Sequence, residues 1–319
     1  MVSFPIRGTP LITTKLSPER AAFLAVQQQL LDKTDLDIQP RRIQLEGGPR
    51  LQVLEAGEGD PLVLLHGAGS SSVLMIPLME KLPGRRLIAV DRPGYGLSDP
   101  GDPGGDYRRA AVDVLTGLLD ALDLEQVDLA GSSGGGVWSL WLAIDRPERI
   151  RRLALIGGCP MLPGTRAPLP LRLFATPWLG ELMNRMTPSS SSVKREMAAM
   201  GEGETILNYP GQIDAFVAAG SDPVASKTVL DEFRVYLRGP WGARPERLFT
   251  EDDLGRVSHP TLLIWGDRDP LGGPEAARQA AASFPNAHLE VLSAGHGPWL
   301  GEPNRTGRLV TDFLSGDQI

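Results

Sequence analysis

Several residue types that often define a fold or a chemistry are scarce in this 319-residue chain. Cysteine occurs once, as Cys159, which excludes an internal disulfide framework and any metal site built from several thiolates. Histidine occurs four times, at His66, His259, His288 and His296, so any imidazole chemistry must choose among four candidates. Lysine is rare: Arg outnumbers Lys 27 to 5, spread along the chain without a basic block. Together with a net charge of −7, this argues against a broad nucleic-acid-binding face. No apolar run approaches the ~18 residues of a membrane span. Met1 to Leu16 has no basic n-region, no continuous apolar stretch and no A-x-A site. The expectation is a soluble, cytoplasmic protein that neither enters a membrane nor binds nucleic acid. No P-loop, no strand-bound G-x-G-x-x-G, no H-E-x-x-H and no His/Cys cluster is present, so no nucleotide, metal or other cofactor is expected.

What is present suits a large α/β protein. Hydrophobic residues make up 41% and charged residues 22%, enough apolar material for a core. Residues 17–33 read as a helix, with Ser17 as cap, Pro18 in the first turn and Phe23, Val26 and Leu30 on one side. From residue 41 short apolar runs alternate with helical patterns. The runs are Ile43–Leu45, Leu51–Glu55, Leu62–Leu65, Leu87–Val90, Val127–Ala130, Leu153–Ile156, Leu262–Trp265 and Leu289–Leu292, the first two suggesting a hairpin. Helices are expected at Arg108–Leu122, Gly135–Ile144, Glu275–Phe284 and Arg305–Leu314. Such alternation predicts a mostly parallel sheet buried on both faces. It breaks between Gly158 and Arg256, where Pro clusters, a Ser189–Ser192 tract and helical pieces replace strands. We expect residues 1–40 to form an N-terminal extension with a helix, 41–157 and 257–319 the α/β core, and 158–256 an inserted helical cap. That insert carries five of the eight methionines and eight of the eighteen Phe, Trp and Tyr residues, which suits an apolar pocket or simply its own core.

The strongest chemical signal is Val127-Asp128-Leu129-Ala130-Gly131-Ser132-Ser133-Gly134-Gly135-Gly136. An apolar strand runs into G-x-S-x-G and a helix follows, the context of a nucleophile elbow. Small residues must flank the serine because the turn is tight. Ser132 also fits a looser small-x-Ser-x-small pattern, but with Gly131 closing the strand the count favours Ser133. A serine needs a base, and His296, in Gly295-His296-Gly297 after the last strand, is the histidine that chain order selects. The base needs a carboxylate. Trp265-Gly266-Asp267-Arg268-Asp269-Pro270 follows the penultimate strand, and Asp269, deeper in the loop, is preferred over Asp267, which we expect to cap or brace it. His66-Gly67-Ala68-Gly69 follows an early strand, so the N–H groups of Ala68 and Gly134 are the expected oxyanion donors.

These motifs, in this order, resemble the α/β-hydrolase superfamily and in particular its capped, esterase-like branch. The resemblance spans about residues 41–315 and includes the Asp91-Arg92-Pro93-Gly94-Tyr95-Gly96-Leu97-Ser98-Asp99 turn, which in that family is structural and shapes the pocket. It implies an eight-stranded sheet flanked by helices, a helical cap inserted after the sixth strand, and an acyl-enzyme mechanism without cofactor. Serine at the elbow argues against the family's epoxide hydrolases and haloalkane dehalogenases, which use a carboxylate nucleophile. Relatives often carry bulkier residues at the positions of Ser132 and Gly134, so a roomier floor to the site is expected. The expected activity is hydrolysis of a carboxylic ester with a small to medium apolar acyl group. Alternatives on the same residues are a lactonase, an amidase, a C–C bond hydrolase acting on a vinylogous diketone, or a perhydrolase. A receptor-like relative that binds without turnover is the alternative of a different class. The partner is a small-molecule ester, and the chain is expected to be a monomer or homodimer.

Overall fold

The structure, a computed structural model, describes residues 16–316. Of the stretch Met1 to Leu16 read above for targeting signals, all but Leu16 lies outside them. Eight strands form one sheet: β1 (Ile38–Gln44), β2 (Arg50–Ala56), β3 (Asp60–Leu65), β4 (Arg85–Val90), β5 (Val127–Gly131), β6 (Ile150–Ile156), β7 (Thr261–Gly266) and β8 (Ala287–Leu292). Their order is β1-β2-β4-β3-β5-β6-β7-β8. β2 runs antiparallel to both its neighbours, and all other pairs are parallel. From β3 the chain winds first to β4 on one side and then crosses to β5 on the other. The carboxyl ends of β3 and β5 therefore lie side by side where the winding reverses, which opens a crevice suited to a ligand.

The first helices are α1 (Pro18–Leu31), α2 (Ile76–Met79), α3 (Tyr107–Ala121) and α4 (Gly134–Asp145). Between β6 and β7 come α5 (Leu169–Phe174), α6 (Leu179–Asn184), α7 (Ser190–Ala199), α8 (Pro210–Ser221), α9 (Pro223–Tyr236) and α10 (Glu251–Gly255). This β6–β7 insert holds one isolated bridge, Leu237 with Ala243, and no strand of the sheet. α11 (Pro274–Ala282), α12 (Pro298–Gly301) and α13 (Pro303–Ser315) follow. None of the described helices is long and apolar enough to cross a membrane.

Both faces of the sheet are covered, so the central strands read as continuous apolar runs. Alternate residues of β3 go to opposite sides: Val63 and Leu65 pack with α3 and α4, while Leu62 and Leu64 pack with α1, α2 and α13. The one charged residue within β5, Asp128, is buried between Arg85 at 2.7 Å and Arg151 at 3.2 Å. Ser17 caps α1, its Oγ accepting from the Arg20 N–H at 3.2 Å. Arg20 then reaches the insert, with Nε 3.0 Å from Asp222. Cys159 is fully buried, its Sγ 3.2 Å from where a Cβ on Gly136 would stand.

The expected strands and long helices are all present, within a few residues of their expected ends. β1 starts at Ile38, a little before the residue 41 expected for the sheet. α2 and α12 have four residues each, too short for a helical period to register in the sequence.

Candidate active site

Ser133 stands between the last residue of β5, two positions before it, and the first residue of α4. Its backbone has φ 51° and ψ −119°, a conformation that costs a non-glycine residue about 1–3 kcal/mol and that clusters at functional sites. The turn can be this tight because its neighbours lack side chains. A Cβ on Gly135 would lie 2.3 Å from the Leu65 carbonyl oxygen, so β3 could not approach a larger residue there. Ser132 is buried and donates its N–H to that same carbonyl at 2.9 Å, which stitches the elbow to the end of β3. Ser133 by contrast is partly accessible.

The end of β3 leads into His66–Gly69. His66 is buried, and its two ring nitrogens are both engaged. Nε2 accepts the Arg92 N–H at 3.1 Å, so Nδ1 is the donor to the Gly67 carbonyl at 2.7 Å. Burial, with Arg92 nearby, holds its pKa well below the ordinary imidazole value, so the ring is neutral and structural. Gly67 abuts the elbow: a Cβ there would lie 3.0 Å from Ser133 Cβ and 3.6 Å from its Oγ. The N–H groups of Ala68 and Gly134 donate to no backbone carbonyl among the described residues. Gly134 opens α4, where the helix dipole favours negative charge.

The loops after β7 and β8 bring Asp269 and His296 together, with Nδ1 2.9 Å from Oδ2. Asp269 is buried and fixed by two N–H donors, Gly158 to Oδ2 at 2.7 Å and Leu271 to Oδ1 at 2.9 Å. Because the carboxylate only accepts, Nδ1 of His296 carries the proton and Nε2 keeps a free lone pair. The imidazole side chain is 13% exposed. Its burial alone would lower the pKa, but the Asp269 charge and hydrogen bond, with a further contribution from Glu202, raise it above the ordinary value. Asp267, the competing carboxylate, faces Arg268 at 3.3 Å and is exposed. His288 pairs with Glu290, and His259 with the Pro147 carbonyl, so neither joins this cluster.

The floor beside Ser133 is not roomy, contrary to the expectation drawn from Gly134. A Cβ on Gly134 would fall 2.4 Å from Glu232 Oε1 and 3.4 Å from Arg92 Nη2. The space vacated by the missing side chain is filled by an ion pair, Arg92 Nη1 to Glu232 Oε1 at 2.9 Å, with both side chains all but fully buried. Tyr95 and Tyr236 also donate to Glu232. Arg92 lies over the rings of Tyr95 and Trp138, at 4.8 and 5.2 Å from their centroids. Burial works against its charge, yet Glu232 outweighs this and raises its pKa. Nε and Nη2 of Arg92 remain without a partner among the described residues. The Asp91–Asp99 turn that presents Arg92 is anchored by Asp91, which accepts the Ser72 N–H at 2.7 Å and the Leu97 N–H at 2.9 Å.

On its other side the His66–Gly69 turn meets α8, leaving a gap of about 10 Å³ lined by Gly69, Ser70, Leu74, Gln212 and Phe216 among others. A larger cleft of about 550 Å³ lies between Gly164–Arg166 and the start of α11, and neither Ser133 nor His296 lines it. Among the described residues no group of three or more His, Cys, Asp or Glu is placed to hold a metal ion.

Comparison with known proteins agrees with this architecture. The model of the alpha/beta hydrolase fold family matches residues 60–303. The chain belongs to the α/β-hydrolase fold family, and it is an enzyme of the hydrolase class. It is 31% identical over 289 residues to a 2-hydroxymuconate semialdehyde hydrolase of Pseudomonas putida, covering 85% of this chain and 92% of the relative. It is 30% identical over 278 residues to a 2-hydroxy-6-oxononadienedioate/2-hydroxy-6-oxononatrienedioate hydrolase of Cupriavidus pinatubonensis, covering 83% of this chain and 90% of the relative. In fold it is similar to carboxylesterase CesB of Bacillus subtilis, with a TM-score of 0.77 and 22% identity over 95% of this chain and 100% of that one.

Three charged residues here were not singled out from sequence: Arg92, Glu202 and Glu232. Glu232 had a usable signal. It shares a buried stripe of α9 with Ala225 and Tyr236, and a carboxylate on such a stripe demands a partner. Arg92 lay within a motif read as structural. Glu202 sits between two glycines after α7, and nothing local marks it.

Proposed function

We propose that the chain hydrolyses carboxylic esters with small to medium apolar acyl groups through an acyl-serine intermediate. Ser133 Oγ attacks the ester carbonyl while His296 Nε2 takes its proton and then gives it to the departing alcohol. Asp269 fixes the imidazole tautomer and stabilises imidazolium. The N–H groups of Ala68 and Gly134 receive the oxyanion, and water, activated by the same imidazole, releases the acid. Residues 158–256 act as the cap over a core of 41–157 and 257–319, residues 1–40 form an extension, and the reaction needs no cofactor. The observation that carries this reading is the 2.9 Å Asp269–His296 hydrogen bond, which leaves Nε2 free, together with the strained elbow at Ser133. Purified protein should hydrolyse p-nitrophenyl butyrate and take a fluorophosphonate label at Ser133, and Ser133→Ala should lose both. Label on Ser132, or full turnover by Ser133→Ala, would defeat the mechanism.

A second reading, hydrolysis of a C–C bond in a vinylogous diketone, draws on two observations. The first is the 30–31% identity to hydrolases named for 2-hydroxy-6-oxononadienedioate and 2-hydroxymuconate semialdehyde. The second is the unpartnered Nε and Nη2 of Arg92, an edge shaped to hold a carboxylate in a bidentate way. The pairing of Arg92 with Glu232 weighs against it, because that cation is already neutralised. Comparing kcat/KM for p-nitrophenyl butyrate and for a 2-hydroxy-6-oxo-2,4-dienoate decides between the two. Dienoate turnover exceeding ester turnover by ten-fold or more would select the second.

A further inference from the structure

The loop that carries His296 is held by the β6–β7 insert as well as by the end of β7. Residues Met200–Glu202, just after α7, run directly against Gly295–Gly297. The His296 N–H donates to the Met200 carbonyl at 2.9 Å, and the next N–H, that of Gly297, donates to Glu202 Oε1 at 2.9 Å. The two segments interlock through facing glycines: a Cβ on Gly295 would lie 2.5 Å from the Met200 carbonyl oxygen, and one on Gly201 would lie 2.9 Å from the Gly295 Cα. Glu202 is fully buried, and its backbone is anchored too, its N–H donating to Met197 and its carbonyl accepting from Ile206.

Its carboxylate has no cationic partner. No Arg or Lys nitrogen lies within salt-bridge distance of Glu202 among the described residues, and Oε2 is buried without a hydrogen-bond partner. A carboxylate buried in this way is costly unless a nearby positive charge offsets it at some stage. The group able to supply that charge is His296 once it has taken a proton.

Resting on the ester-hydrolase reading above, we infer that Glu202 is a second positioning carboxylate for His296, delivered by the insert. Through Gly297 it fixes where the imidazole stands, and through its charge it supplements Asp269 in favouring the imidazolium formed during acyl transfer. Asp269, from the loop after β7, bonds the imidazole itself, while Glu202, from the insert, bonds the N–H of the next residue and adds its charge nearby. Arg268, on the same loop as Asp269, is turned to Asp267 and Ser293. On the far side, the Tyr209 hydroxyl donates to Leu300 and feels the Glu202 charge. Burial raises the Glu202 pKa above the ordinary carboxylate value, and the Gly297 N–H, the Thr205 hydroxyl, the Gly295 N–H and, least, His296 act against it. The arrangement ties correct placement of the base to correct seating of the insert.

The test uses full-length wild-type protein, Glu202→Gln and Glu202→Ala, with kcat and KM for p-nitrophenyl butyrate measured from pH 5 to 9. Glu202→Gln keeps the size and the acceptor oxygen but loses the charge, so the acid limb of kcat/KM should move to lower pH by about one unit. Glu202→Ala also loses the hydrogen bond, and kcat should fall about ten-fold or more with KM little changed. An acid limb for Glu202→Gln that superimposes on wild type, or wild-type kcat in Glu202→Ala, overturns the inference. If Glu202→Ala does not fold, Glu202→Gln decides alone. The parent reading is checked separately: wild-type protein that escapes fluorophosphonate labelling at Ser133 brings down both, whereas labelled wild type with an unmoved limb brings down only the role of Glu202.

Discussion

Two buried carboxylates each hold a basic side chain, and the two pairs have opposite characters. Asp269 and Glu232 are both fully shielded from solvent, and each holds a basic side chain at 2.9 Å. The partner of Asp269 is an imidazole, which exchanges a proton near neutral pH and remains partly exposed. The partner of Glu232 is a guanidinium, which never gives up its charge, is enclosed, and stacks on two aromatic rings. Geometry and burial alone do not separate a pair that can exchange a proton from a locked one. The partner's ability to change charge, and the access of its free nitrogen, do.

That contrast can be broken from either side. The largest effect is expected from Asp269→Asn, which should cut kcat/KM by about 10⁴-fold. Asp267→Asn, measured beside it, should change kcat/KM less than two-fold, and equal losses in the two variants would undo the assignment of the acid. On the locked side, Glu232→Ala leaves Arg92 buried and unpaired. Urea denaturation should then register a loss of about 3–5 kcal/mol. Gly134→Ala pushes a methyl group against Glu232 Oε1, and the same measurement should give a smaller loss of about 1–3 kcal/mol. Unchanged stability in both would mean that the ion pair does not fill the floor.

The mildest effect concerns pH, and here stability and activity run in opposite directions. Because Asp269 raises the pKa of His296, kcat/KM should fall as pH drops through a limb lying above the ordinary imidazole value of about 6.5. The same raised pKa stabilises the fold fully below the unfolded-state value, and that stabilisation disappears as pH rises through the folded value. The melting-temperature advantage of wild type over His296→Gln should therefore be greater at pH 5.5 than at pH 8.5. A limb below 6.5, or an advantage that grows with pH, would contradict the pairing.

Most of the sheet was legible because its strands are short apolar runs bounded by turn residues, and a doubly covered sheet leaves little else for such runs to be. The loops that carry Ser133, Asp269 and His296 were legible through position: each follows a strand, and the order of the strands places the three loops on one edge. The floor was not. Gly134 reads locally as empty space, and only the folding of α9 back onto the segments that follow β4 and β5 brings Glu232 into it, from about a hundred residues further along the chain. Glu202 escaped for the same reason. Its relation to Gly297 spans the whole of β7, α11 and β8, and no periodicity in its own segment reports a partner so distant.

Cys159, buried one turn from the elbow beside Gly136 and alone of its kind, gives the molecule a built-in clock. Burial pushes its thiol well above the ordinary range, so in the closed protein it is a poor nucleophile toward disulfide reagents. Any reaction of the protein with such a reagent must pass through an opening that separates α4 from the start of the insert. Since there is one thiol, the time course has one phase to assign. Its rate at rising urea separates local opening from global unfolding without any label having been introduced.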